Sequence, residues 1–234
     1  MKSSWLLYVV LGLSAHVFAA DAVTDALSEA YAPYRVALFK TSTASAAEAA
    51  QAVEAARQRW QQLIAQHGAQ PGAPYDRDQR YATSLQDVLR AFDTATTQAR
   101  GGDLPAAHET LEQVRDLLAA LRARNNIIVF SDHMNAYHAA IEKVLGAPMT
   151  ASPGSEAWQQ LTMQVGVLEY LADRLASEAP QELRQQEEFE SLLGNLRASV
   201  TALKAAVLAA DPAAAKAALG KLKMPYSKLF VRLG

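Results

Sequence analysis

The sequence predicts an all-α fold, an up-down antiparallel helical bundle, on three observations. Apolar residues recur every three or four positions along almost the whole chain. Ala, Leu, Gln, Glu and Arg, which favour helix, dominate the composition. Gly and Pro gather at a few short breaks, and no stretch alternates in the manner of a strand.

The amino terminus, MKSSWLLYVVLGLSAHVFAA, reads as a secretory leader: one Lys, an apolar run from Trp5 to Leu13, then small residues at Ala19-Ala20. Residues 1–19 are therefore expected to be a signal peptide, with the mature protein periplasmic or secreted. The run is short of the roughly 20 apolar residues that span a bilayer, and no later segment reaches that length without charges, so no stable membrane insertion is expected. Cysteine is absent, which excludes disulfides, thiolate metal sites and haem attached through Cys-x-x-Cys-His. The 22 Lys and Arg face 24 Asp and Glu with no basic block, so nucleic acid is not an expected partner.

Breaks at His67 to Pro74, Gly101-Gly102, Gly146 to Gly154, Ala179-Pro180 and Asp211-Pro212 bound the helices. They are expected at about 22–40, 45–66, 77–100, 103–124, 128–146, 155–178, 182–209 and 212–232. Pro33 and Pro225 are expected to kink or interrupt the first and last. Asp103 and Asp211 have the position and chemistry of N-caps. In the fourth helix Leu104, Ala107, Leu111, Val114, Leu118 and Leu121 alternate by three and four, the seam of near-parallel packing, and Trp158 to Leu175 repeats the pattern.

The two halves echo one another. Trp60-Gln61-Gln62-Leu63 recurs from Trp158, Leu89-Arg90-Ala91 from Leu196, and DLPAAHETLEQV from Asp103 as DPAAAKAALGKL from Asp211. If the echo is a duplication, the chain divides into helical units 20–146 and 155–234, the second packed on the first.

Two His-x-x-x-Glu pairs, His108/Glu112 and His138/Glu142, flank the Asn125-Asn126 turn. Residues four apart share a helix face, and an antiparallel hairpin folded there sets His108 level with Glu142 and Glu112 level with His138. The four side chains are candidate ligands for a transition metal ion such as Zn, Cu or Fe, since bundle interiors are where His–carboxylate sites are built. The bland alternative is a pair of ordinary inter-helix ion pairs. A helix start later than residue 128, with Ser131 or Asp132 as cap, would shift the pairing by two or three residues. Asp93 and Glu169 are candidate additional carboxylates, and Met134 with His138, joined by Met163, is an alternative copper or non-covalent haem set. His133 is expected to be a solvated first-turn residue.

The run LKAAVLAADPAAAKAALGKLKMPYSKLF resembles the closing helix pair of cytochrome c-prime and its four-helix-bundle relatives. Where that family carries Cys-x-x-Cys-His, this chain has Met224-Pro225-Tyr226-Ser227-Lys228. The resemblance covers the last third and implies an up-down bundle, with no haem-binding residue carried over. Pro33-Tyr34 with Leu38-Phe39 and Pro225-Tyr226 with Leu229-Phe230 echo each other near the chain ends and could pack the termini together or form a dimer surface. No Gly-x-Ser-x-Gly, phosphate-cradling Gly loop or His-Glu-x-x-His occurs, so an enzyme is not expected. The expectation is an exported helical bundle that binds a transition metal ion as carrier, buffer or sensor; the competing reading is a structural or protein-interaction module, or a bundle holding non-covalent haem.

Overall fold

The computed structural model describes residues 21–146 and 152–234, so the leader read at residues 1–19 lies outside the described residues. The described residues form helices joined by short links, with no strand among them. In order come α1 (Ala22–Thr43), α2 (Ala46–His67), a 3₁₀ turn (Tyr75–Arg77), α3 (Tyr81–Arg100), α4 (Leu104–Arg124), α5 (Phe130–Leu145) and α6 (Glu156–Glu178). A short α7 (Gln181–Arg184), α8 (Glu187–Leu208), α9 (Pro212–Leu219) and α10 (Lys223–Leu233) complete it.

Local chemistry starts these helices where the sequence places them. Asp21 caps α1 by accepting the Thr24 N–H at 2.7 Å, and Ser45 with Glu48 forms a capping box on α2. Asp103, Ser155 and Asp211 cap α4, α6 and α9 in the same way. The α3–α4 link is two glycines long and turns through Gly102 at φ 82°, a left-handed conformation that costs a residue without Cβ little. Pro33 stands inside α1, which continues through it to Thr43; the expected interruption does not occur, because Pro removes one backbone bond while the Tyr31–Tyr34 face stays buried. The expected last helix does divide, at Gly220 to Leu222, and Pro225 falls in the first turn of α10, where its missing N–H has no intrahelical acceptor to lose.

By close packing, α1 lies on α2 and α4, α2 on α3, and α3 on α4. A second set follows: α5 on α6, α6 on α8, and α8 on α9 and α10. α5, grouped by the sequence reading with the preceding helices, packs on α6 and α10 instead of closely against α4. One hydrophobic core runs through both sets, from Val23 and Trp60 to Leu203 and Phe230. Where it crosses between them, α1 meets α10: Tyr31 stands edge-on to Phe230 at 6.3 Å, and Arg35 donates to the Phe230 carbonyl at 2.9 Å. The aromatic echo at the two chain ends is thus a contact between first and last helices. No helix among the described residues is long and apolar enough to cross a membrane.

Candidate functional site

Because α4 and α5 are joined at one end but not close-packed along their length, a cleft of about 570 Å³ opens between them. His108, Glu112, His138 and Glu142 all line it, together with Arg115 and Lys223. The hairpin argument therefore brings the two His–Glu pairs to one place, but with a shifted register. His138 stands opposite Arg115, whose Nη1 donates to its Nδ1 at 2.9 Å, and not opposite Glu112. The shift is three residues and has a local cause. Beyond the left-handed Asn126 the chain stays out of helix until Val129, and α5 starts at Phe130 with the Asp132 carboxylate accepting the Val129 N–H at 3.1 Å.

The two histidines are held in opposite tautomers. A carbonyl only accepts, so His108 Nδ1 is the donor to Leu38 O at 3.1 Å; Thr41, whose hydroxyl donates to the same carbonyl, lies 2.9 Å from that nitrogen. Neutral His108 thus offers its Nε2 lone pair to the cleft, 3.9 Å from Glu112. A guanidinium only donates, so His138 Nδ1 is the acceptor and its proton sits on Nε2, 3.4 Å from Glu142. His138 also stacks on Tyr226 at 5.2 Å, and burial, reinforced by the Arg115 charge, holds its pKa below the ordinary imidazole value. Glu142 is shared with Lys223 of α10 at 3.1 Å.

Among the described residues no three His, Cys, Asp or Glu side chains are placed to share a metal ion. Arg115, a permanent cation, stands between the two pairs, and the lone pair His138 could give a metal on Nδ1 is occupied by it. Asp93, a candidate third carboxylate, turns away to Arg57 at 3.3 Å, and Glu169 is held by Lys204 at 2.7 Å. Met134 is buried in the core while Met163 lies 60% exposed on α6, so they do not converge. His133 is not solvated: its side chain is 15% exposed and faces Glu178 at 3.9 Å.

Arg115 is the residue the sequence reading missed. Its spacing gave a usable signal, since it lies three residues beyond Glu112 and seven beyond His108 on one helical face. Its side chain is only 16% exposed, yet its nearest carboxylate oxygens, on Glu112 and Asp116, are 3.7 and 3.9 Å away. The cleft joins a recess of about 110 Å³ in which Leu38, Phe39, Tyr226, Phe230 and Val231 face the same His108, Glu112, Arg115, His138 and Lys223, with Ser42 and Ser227 also in its lining.

No protein-family model, curated protein or solved structure matches this chain.

Proposed function

We propose that the chain is an exported helical-bundle binding protein, a carrier, buffer or sensor and not an enzyme, which takes a small ligand into the cleft between α4 and α5. The observation that carries this reading is the convergence of His108, Glu112, Arg115, Asp116, His138, Glu142 and Lys223 on one cleft that opens into a recess with an apolar wall on one side. A concave site with an apolar wall and a few convergent polar groups is the usual form of a ligand pocket.

A transition metal ion is a second reading of the occupant, favoured by one specific feature. His108 is oriented through Nδ1–H on a carbonyl with Nε2 free beside a carboxylate, the arrangement in which histidines bind metals. For His138 to join it, Arg115 would have to release Nδ1 or the ring would have to turn.

Native mass spectrometry of the full mature protein, purified without chelator or tag, tests the proposal beside an Ala139→Trp variant that blocks the cleft wall. A bound mass present in the wild type and absent from the variant is the expected result. Zinc or copper taken up stoichiometrically and lost in His108→Ala would assign the occupant as metal. A bare polypeptide mass, with no thermal shift from zinc chloride or sodium octanoate, would overturn the binding reading and leave the cluster as ties between helices.

A further inference from the structure

We propose that the outer face of α6 is a self-association surface, on which a second copy of this chain lays its own α6 antiparallel about a two-fold axis level with Val165. α6 carries two apolar stripes. One, from Trp158 to Leu175, is the inward seam, and the helix packs on α5 and α8. On the opposite side Met163, Val167 and Tyr170 stand 60%, 52% and 60% exposed, spaced four and three apart along one line of the helix. A single exposed apolar side chain is ordinary, but three aligned large ones on the solvent side of a helix mark a surface that has a partner.

The order of the stripe selects a second copy as that partner. Extended outward it reads Glu156, Gln160, Met163, Val167, Tyr170 and Arg174, at intervals of four, three, four, three and four, the period of a coiled-coil seam. The series is symmetric about Val165 in spacing and complementary in chemistry. Antiparallel pairing sets Met163 on Val167 of the second copy, Gln160 beside its Tyr170, and Glu156 against its Arg174, with an opposite-charge pair at each end. Parallel pairing would set Glu156 on Glu156 and Arg174 on Arg174, like on like. Arg174 is 38% exposed and now holds Glu178 at 2.7 Å, a surface pair that it can exchange at little cost. The flanking carboxylates Glu169 and Asp173 are already matched by Lys204 and Arg197, both at 2.7 Å, so they bring no uncompensated charge to the contact. Gly166 lies beside the axis. No atom stands within 4 Å of where its Cβ would be, so nothing within this chain calls for glycine there, although glycine is unfavourable in mid-helix. Between two antiparallel copies its missing side chain lets the backbones approach.

Sedimentation velocity of the full mature protein over about 5 to 500 µM tests the assignment. The sedimentation coefficient should climb from the monomer's value toward the dimer's across that range. Val167→Glu, checked for retained helix by circular dichroism, should weaken association about tenfold or more, and Glu156→Arg alone should weaken it in the same direction. Combining Glu156→Arg with Arg174→Glu should restore it, because the end pairs form again with their charges exchanged. Orientation can be read with one spin label on Ser177→Cys, since the chain has no other cysteine. Antiparallel pairing holds the two labels about 36 Å apart along the axis, whereas parallel pairing brings them side by side. A protein that stays monomeric throughout the range, or a dimer whose affinity is unchanged in Val167→Glu, overturns the proposal. Labels within about 15 Å of each other, or a double charge exchange that fails to rescue association, overturn it as well.

Discussion

The two flanks of α4 are sealed in different ways. Against α1 and α3 it presents Ala107, Leu111, Val114, Leu118 and Leu121, each at most 2% exposed, after a tight two-glycine link. Toward α5 it presents His108, Glu112 and Arg115 after a link that runs to Val129, and the space between the helices is a polar cleft. The dry flank holds by area and close packing. The wet flank holds by directed bonds: Arg115 to His138, and Arg122 to Asp132 at 2.9 Å near the turn. A helix fixed by its dry side can leave its other side open, and that is what allows a cleft to exist without loss of the fold.

The contrast gives a ranked set of expectations. Leu111→Ala, on the dry flank, should be the most damaging, at about 3–5 kcal/mol for a fully buried Leu, read as a drop in the urea midpoint. Arg122→Ala should cost about 3 kcal/mol, because Arg122 is 4% exposed and its loss strands Asp132 among fewer donors. If Arg122→Ala unfolds no more readily than a surface Arg variant such as Arg90→Ala, the directed bonds at the turn are not what holds the wet flank.

Smaller again is a pH effect from His138. Burial, then Arg115, depresses its pKa in the folded protein, so below the ordinary imidazole value of about 6.5 the unfolded chain binds the proton first. Stability should be full above that pH, fall as the pH drops toward the depressed folded value, and level off beyond it. Urea denaturation at stepped pH should show this slope, and His138→Asn should flatten it. Lys223→Gln should change stability least, by under about 0.5 kcal/mol, since its pair with Glu142 is half-exposed at both ends. A larger loss would mean that α10 depends on this pair for its place over the cleft.

Most helix boundaries were legible because caps, Gly–Pro breaks and the three-four apolar period are local. The seam from Leu104 to Leu121 reads directly, and so does the gathering of the two His–Glu pairs near one another. Their partners were not legible, since a few residues of extended link after Asn126 exchange Glu112 for Arg115 opposite His138. Asp93 and Glu169 went elsewhere for a related reason: which flank a polar residue meets depends on which helices neighbour it in space, and the chain gives no local sign that α5 lies on α6 and α10. His133 looked solvated from its place in the first turn, yet α6 arrives beside it with Glu178.

The clasp between Arg35 and the Phe230 carbonyl spans 195 residues of sequence. During synthesis the aromatic face of α1 emerges well before α10, the helix that covers it. Tyr31 and Tyr34 therefore stay without their α10 neighbours while all the intervening helices are made, and closure of so long a loop is slow.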